Sequence, residues 1–205
     1  MKLTQAVTLK VVHCSHPLRK EVEHYVASRY ALAFDAHITE FMPTFLCVYS
    51  EEEGLLSVCG YRIASQEPLF LEQYLPLPAD KIMEKQFSQT IKRSNLIEFG
   101  QLASFSKGIS PLHFLLIAKY LIEEGFEWCI FTATDPLFAM MAHLGLAPTA
   151  LSSADESHIP NAQATWGTYY HTSPRVSAGN LKVGLSQLTN RYEQINNRQS
   201  RAKIS

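Results

Sequence analysis

The spacing of apolar residues along the chain predicts an α/β domain. Apolar and polar side chains alternate from Val7 to Val11, which is typical of a half-buried strand. From His16 to Phe34 the apolar residues share one helical stripe, so we expect a helix there. Two β-rich runs, Phe45–Tyr49 and Leu55–Ala64, flank a Glu-Glu-Glu-Gly turn and predict an antiparallel hairpin.

The centre of the chain alternates between predicted strands and helices. We expect strands at Asn95–Phe105 and Glu127–Thr132, joined by a helix from Pro111 to Glu124 that Ser110 caps and Gly125 ends. A strand, a helix and a strand in this order predict a parallel pair of strands. Together with the hairpin, they predict one mixed, twisted sheet flanked by helices.

The rest of the chain gives weaker patterns. Further helices are expected at Asp80–Lys92 and from Asp135 to Gly145, and further strands at Leu146–Leu151 and Ala164–Tyr170. A weak helical stripe follows near the C-terminus. We therefore expect one domain over residues 1–180 and a polar, basic extension over residues 181–205 that is helical or partly disordered.

Composition narrows the classes of partner. The net charge of -1 gives no case for nucleic-acid binding, and no apolar run reaches the ~20 residues of a transmembrane helix. From Lys182 onward five basic side chains face one acidic one, which indicates a solvated tail or a weak contact with a membrane surface. The histidines and cysteines show no metal-ligand spacing, so we expect no metal.

The cysteines and the N-terminus favour a cytoplasmic protein. Cys14, Cys47, Cys59 and Cys129 lie in apolar, strand-like runs, so we expect buried, free thiols of the kind that a reducing compartment preserves. Residues 1–12 lack the continuous apolar core of a signal peptide. The alternative is export by a route that needs no signal peptide.

Several segments resemble known acyltransferases. Leu96–Phe105, Ser106–Ser110 and Trp128–Thr132 stand where the GNAT (acyl-CoA N-acyltransferase) fold has its fourth strand, pyrophosphate loop and fifth strand. A narrower likeness, to the thermostable hemolysin family, covers most of the chain. It rests on Leu69–Leu75, Glu98–Ser104, Trp166–Tyr170, Pro174–Val176 and Gly179. That family is itself similar to acyl-homoserine-lactone synthases.

The resemblance implies a GNAT-like acyltransferase. Such an enzyme moves an acyl group, here a fatty acyl group, from acyl-CoA or an acyl carrier protein to a small amine such as an amino acid. The loop formed by Ser106, Lys107, Gly108, Ile109 and Ser110 would bind the donor's pyrophosphate, because N–H groups at a helix start attract phosphate and Gly108 permits close approach. The alternative is that this loop is simply a well-capped helix start.

Two forms of the acyl donor remain possible. The acyl-CoA signature is Gln or Arg, two residues, Gly, one residue, then Gly or Ala. Here those places hold Phe105, Gly108 and Ser110, so acyl-phosphopantetheine on a carrier protein remains a second possible donor. In either case the strand around Leu102, Ala103 and Ser104 would separate from its neighbour and pair with the amides of the pantetheine arm.

Glu98 is the candidate general base. GNAT enzymes often carry a glutamate on this strand, and the apolar neighbours Leu96, Ile97 and Phe99 predict a desolvated carboxyl group with a raised pKa. The alternative is a structural glutamate. Such enzymes often use a tyrosine as the general acid, and at that position this chain has Met141.

The acceptor side has its own candidates. The polar groups of Glu72, Gln73 and Tyr74 would line the acceptor pocket, the alternative being a surface turn before two prolines.

Two other functions remain open at this point. One is a membrane-active hemolysin without enzymatic activity, and the other is a catalytically inactive GNAT-like ligand-binding module. A hydrolytic hemolysin has less support, because the chain contains neither a G-x-S-x-G nor an H-E-x-x-H motif.

Overall fold

A computed structural model of the chain describes residues 7–104 and 111–202. Within these residues seven strands form one sheet in the order β1-β2-β3-β4-β5-β7-β6. The strands are β1 Val7–His13, β2 Thr44–Ser50, β3 Gly54–Ile63, β4 Leu96–Ser104, β5 Trp128–Ala133, β6 Thr149–Ser153 and β7 Arg175–Asn180. The helices are α1 Arg19–Phe34, α2 Ala79–Phe87, α3 Pro111–Glu123, α4 Asp135–His143, α5 Ala162–Trp166 and α6 Leu181–Ala202.

The direction of the strands confirms the predicted mixed sheet. β4 and β5 are parallel neighbours joined by α3, and the other neighbouring pairs among the described strands are antiparallel. The hairpin of β2 and β3 is also confirmed, with Gly54 in the left-handed conformation at its turn (φ 75°).

Apolar side chains cover both faces of the sheet. Along β4, Leu96 packs on the face that carries α2 and α5, whereas Ile97 packs on the opposite face with α3, α4 and α6. β5 repeats this alternation, with Ile130 on the first face and Phe131 on the second. Helix α1 covers the neighbouring part of the first face, over β2 and β3.

The C-terminal helix begins directly after β7. The side chain of Asn180 accepts the N–H groups of Lys182 (3.0 Å) and Val183 (3.2 Å) and so satisfies two donors of the first turn. Leu181 and Leu188 are buried, and the helix packs against α3. The described part of residues 181–205 is thus helical and contributes to the core.

Four of the sequence predictions need correction. The strand expected at Ala164–Tyr170 is instead α5 followed by a 3₁₀ turn, Tyr169–Thr172, and the strand lies later, at β7. The strand expected at Leu146–Leu151 is displaced to β6. Helix α2 stops at Phe87 because Ser88 adopts the left-handed conformation (φ 52°). Cys14 is exposed, since it lies in the turn after β1, whereas the other three thiols are buried and free.

Two findings concern membranes and metals. Across residues 7–104 and 111–202, no helix combines the length and the apolar character needed to cross a bilayer. The same residues contain no group of three or more His, Cys, Asp or Glu side chains arranged to hold a metal ion.

Candidate functional site

A bulge in β4 marks the point where this strand leaves its parallel neighbour. Between the paired positions Val58 with Ala103 and Gly60 with Gly100, β4 has one residue more than β3. Gln101 lies in this interval with a φ of 52°, in the left-handed region. A bulge of this kind bends the strand and increases its twist.

The side chain of Gln101 holds the bulge in place. Its Oε1 accepts the N–H of Met42 at 2.9 Å, and its Nε2 donates to the carbonyl of Glu40 at 2.7 Å. Met42 lies so close to Gly60 and Gly100 that a Cβ at either position would overlap its side chain. The glycines and Gln101 together therefore fix the segment 40–42 against the bulge.

Beyond the bulge, β4 and β5 separate. Parallel pairing joins Leu96–Phe99 to Trp128–Phe131 and stops there, although β4 continues to Ser104 and β5 to Ala133. Since β5 remains paired with β7 as far as Ala133, the gap lies between β4 and β5. The edge of residues 100–104 that faces β5 is thus outside the β4–β5 ladder.

A cavity of about 410 Å³ occupies this gap. Its walls are mostly apolar and come from β4, β5, α3, α4 and α6, and they include Leu102 and Ser104 as well as Gly100 and Gln101. Ala103 points elsewhere and is buried against α1. The size and the apolar lining are those of a pocket for a small ligand.

The cavity also reaches the other face of the sheet. There its walls are Tyr30 and Phe34 of α1, Tyr169, and Thr132 at the end of β5. The hydroxyl of Tyr169 donates to the Oγ1 of Thr132 at 3.0 Å, and burial raises the pKa of this tyrosine to about 12, so it stays protonated at neutral pH. The cavity thus connects the α1 side of the sheet with the α3–α4–α6 side.

Glu98 lies on β4 just before the strands separate. Its side chain is 1% exposed, and its Oε2 accepts the N–H of Leu71 at 3.4 Å. Burial raises the pKa of Glu98 to about 7, while the Arg62 guanidinium and the N–H groups of Leu71 and Phe70 offset part of that rise. Near neutral pH the carboxyl group therefore populates both protonation states, which suits a group that accepts and returns a proton.

Arg62 is the cross-strand neighbour of Glu98. It pairs with Glu98 in the register of β3 and β4, so both side chains project from the same face of the sheet. Its guanidinium contacts Glu67 Oε2, the carbonyl of Pro68 and the sulfur of Met42, each at 3.4 Å. The two contacts with oxygen are long compared with those of Arg93, whose shortest is 2.6 Å.

An aromatic cluster lies between the Glu98 region and the cavity. Its rings contact one another in tilted or edge-to-face geometry, from Phe70 to Trp166 at 5.8 Å between centroids, to Tyr169 at 5.7 Å and to Tyr170 at 5.4 Å. The hydroxyl groups of Tyr170 and Tyr74 are 2.6 Å apart. Burial raises the pKa of Tyr74, so its hydroxyl also stays protonated.

The segment that carries Trp166 and Tyr169 is docked on the end of α1. The N–H of Thr168 donates to the carbonyl of Phe34 at 2.7 Å, and the N–H of His37 donates to the carbonyl of Thr165 at 2.9 Å. Gly167 lies between them with a φ of 53°, so close to the carbonyls of Phe34 and Asp35 that a Cβ would overlap both. The glycine is therefore required for this docking.

Of the three candidate acceptor residues, Glu72 has its side chain fully engaged. One oxygen accepts from Arg93 at 2.6 Å and from the N–H of Ala79 at 2.9 Å, and the other accepts the N–H of Leu69 at 3.2 Å. Although partial burial acts to raise its pKa, these hydrogen bonds lower it below the ordinary value. Glu72 thereby anchors the segment that runs past Glu98.

The other two acceptor candidates lie in the same segment. The side-chain amide of Gln73 donates to the backbone carbonyl of Phe70 at 3.1 Å. The backbone carbonyl of Gln73 lies 2.8 Å from the Nδ1 of His158. Tyr74 belongs to the aromatic cluster and is buried. Of the three candidates, only Tyr74 therefore places its side chain within the aromatic cluster.

Some predicted positions lie outside the described residues. These are the loop residues Ser106, Lys107, Gly108, Ile109 and Ser110, whose binding role remains a prediction. Met141 is described and lines the cavity, and His143 is exposed on the same helix.

Other site residues could not be found from the sequence. The walls from Tyr30, Thr132 and α6 come from elements far apart in the chain. Tyr169 lies within a motif that carries the family resemblance, but in a segment expected to be a strand. A buried pair, Ser57 Oγ and His113 Nδ1 at 3.0 Å, joins β3 to α3 across 56 residues. Burial lowers the pKa of His113, which favours the neutral form of its ring.

The architecture is that of a GNAT-like synthase fold. FeeM, an N-acyl amino acid synthase from uncultured soil microbes, superposes with a TM-score of 0.61 over 91% of this chain and 96% of its own, at 14% identity. The acyl-homoserine-lactone synthase LasI gives 0.58 over 88% and 95%, at 12% identity. BjaI, a CoA-dependent acyl-homoserine lactone synthase described with SAM and isopentyl-CoA, gives 0.59 over 91% and 89%, at 10% identity.

The family follows from the sequence itself. The profile of the thermostable hemolysin family matches residues 12–185, and the chain therefore belongs to that family. No curated protein matches the chain. At 10–14% identity, the solved structures show a shared fold and leave the reaction to be inferred from the site.

Proposed function

We propose that this protein transfers an acyl group, a fatty acyl group, from a thioester to a small amine such as an amino acid. The proposal is carried by one observation: Glu98, a buried carboxyl group with a pKa of about 7, lies on the strand that borders the apolar cavity. A general base works best when its pKa is close to the operating pH. The fold shared with acyl-transferring synthases supports the same reaction class.

The donor in this proposal is acyl-CoA or the acyl-phosphopantetheine of a carrier protein. The arm of either donor contains amides, and in this proposal they pair with the backbone of β4 around Leu102, Ala103 and Ser104, the stretch beyond the β4–β5 ladder. The loop Ser106–Ser110 would hold a pyrophosphate at the start of α3. The structure of BjaI with isopentyl-CoA supports a CoA thioester as one such donor.

In this proposal Glu98 acts as the general base. The carboxylate accepts a proton from the amine while the nitrogen attacks the thioester carbonyl carbon. A C–N bond forms, the C–S bond breaks, and the proton held by Glu98 passes to the departing sulfur, so the products are an amide and a free thiol. Because Glu98 is 1% exposed, the proton travels through a bound water or the adjoining segment Phe70–Leu71 moves aside.

An amino acid acceptor is supported by Arg62. This guanidinium lies beside Glu98 on the same face, and its two oxygen contacts among the described residues are both 3.4 Å long, so a carboxylate brought in by the acceptor would provide a closer partner. In this arrangement Glu72, Gln73 and Tyr74 border the acceptor, with Glu72 acting through the segment that it anchors.

Replacing Glu98 with Gln tests the proposal. Gln keeps the size and the acceptor for Leu71 N–H but takes up no proton, so kcat should fall about 10²–10⁴-fold with little change in KM for the donor. The assay follows free thiol release from acyl-CoA with a panel of amines. Glu123→Gln, an exposed carboxyl group on α3, is the matched control and should keep full activity.

The pH dependence and the wild-type reaction give further checks. Activity should rise as Glu98 ionises, through about pH 7, and this limb should vanish in Glu98→Gln. Full activity in Glu98→Gln would assign the glutamate a structural role. Wild-type protein that binds acyl-CoA but releases no thiol with any amine would instead indicate a ligand-binding module.

A further inference from the structure

The C-terminal helix walls one end of the cavity. Leu181, Val183, Gly184 and Leu188 of α6 line it, together with apolar residues of α3 and α4. Pantetheine amides need hydrogen-bond partners, and the α6 end is mostly apolar, whereas β4 beyond Phe99 borders the cavity outside the β4–β5 ladder. The side chain of Asn180 is already committed to capping α6. An alkyl chain therefore suits the α6 end better than the polar donor arm does.

Gly184 keeps this end open. It lies in the first turns of α6, where glycine is a poor helix former, and a Cβ there would meet only Leu146 Cδ2, at an ordinary 3.6 Å. Alanine would therefore fit and favour the helix. A larger side chain at this position, by contrast, would extend into the cavity.

We propose that the α6 end of the cavity holds the tail of the acyl chain and that Gly184 sets the length it accepts. The inference rests on the proposed function and adds the substrate class, a medium-length fatty acyl group. A methylene occupies about the volume of one liquid water, ~30 Å³, so the whole cavity takes roughly a dozen such groups. Because the donor arm uses part of that space, the acyl chain that fits is shorter than this limit.

Binding of S-alkyl-CoA thioethers, from butyl to hexadecyl, tests the inference without turnover. For wild-type protein, affinity should rise about fourfold per methylene until the cavity is full and then level off. In Gly184→Leu the levelling should occur about three or four carbons earlier, because the new side chain has four more heavy atoms than glycine, with the butyl compound bound as by wild type. Calorimetry reports each affinity.

Two further variants make the test specific. Ser186→Leu adds the same side chain at an exposed position of the same helix and should leave the length profile unchanged. Gly184→Ala should keep the wild-type profile and raise the melting temperature. If Gly184→Leu does not fold, Gly184→Met fills the same space with a more flexible chain.

The possible results separate this inference from the proposed function. An unchanged length profile in Gly184→Leu, or equal weakening at every length including butyl, would overturn the role of Gly184 even if acyl transfer proceeds. A length profile that shortens as expected in a protein without transferase activity would sustain the inference and remove the proposed reaction.

Discussion

At the scale of single residues, Glu98 links the site to the stability of the fold. Its folded-state pKa of about 7 exceeds the ordinary value of 4.5, so the folded protein binds this proton more tightly than the unfolded chain. The stabilising contribution is complete below the unfolded pKa and is lost as the pH rises through about 7. The charged form of Glu98, which the proposed general-base role requires, is thus the less stable one.

We expect Glu98→Gln to be more stable than wild type in alkaline solution but not in acid. Gln avoids burying a charge, so the gain in the free energy of unfolding should be roughly 2–4 kcal/mol at about pH 8 and should vanish near pH 4. Urea unfolding at the two pH values measures it. Glu123→Gln, at an exposed position of α3, should show little gain at either pH. An equal effect of Glu98→Gln at both pH values would show that ionisation is not its cause.

The desolvation of Glu98 could be predicted from the sequence. Leu96, Ile97 and Phe99 are adjacent in the sequence, and their apolar character already indicates a buried carboxyl group, which the raised pKa confirms. The groups that moderate the shift, Arg62 and the N–H of Leu71, come from other segments. Only the register of β3 and β4 and the path of residues 70–74 bring them together.

At the scale of elements, the docked segment after α5 depends on one glycine. Gly167 combines a left-handed φ of 53° with backbone carbonyls of Phe34 and Asp35 where a Cβ would be placed. Gly54 has a comparable φ of 75° but no heavy atom within 4 Å of its would-be Cβ. A comparison of substitutions at these two positions therefore distinguishes backbone strain from steric overlap.

Gly167→Ala should destabilise the fold far more than Gly54→Ala. Gly54→Ala introduces only the strain of a left-handed backbone, so it should lower the free energy of unfolding by about 1 kcal/mol. In Gly167→Ala the docked segment must also shift away from α1, so we expect a loss of roughly 3 kcal/mol or more. Chemical denaturation of both variants measures the difference. Equal losses would mean that the contact between Gly167 and Phe34 does not hold the segment.

The same segment explains where the sequence misled. Aromatic and β-branched residues in Ala164–Tyr170 predict a strand, but Trp166 and Tyr169 pack on α1 and on each other instead of in the sheet. Tertiary packing outweighs strand propensity here. The central unit of β4, α3 and β5 was predictable because its period, its Ser-Pro start and its Gly end all agree.

At the scale of the whole molecule, the site is a consequence of how the sheet is interrupted. The bulge at Gln101 turns β4 away from β5, and helices from both faces then wall the gap. The separation of the strands was expected from the family resemblance. The cavity wall from α6 was not, because the helical stripe of the tail is weak and nothing local shows that α6 packs against α3.

A ligand that fills this gap should stabilise the entire fold, because its walls come from elements spread from α1 to α6. A donor at a concentration of about 100 Kd contributes ~2.7 kcal/mol, which for a chain of this size corresponds to a rise in Tm of about 5–10 °C. S-decyl-CoA, measured by scanning calorimetry, should produce this shift at that saturation, with acyl-free CoA at the same concentration giving a much smaller one. If both compounds raise Tm equally, the alkyl chain lies outside the cavity, and the gap between β4 and β5 does not bind the acyl group.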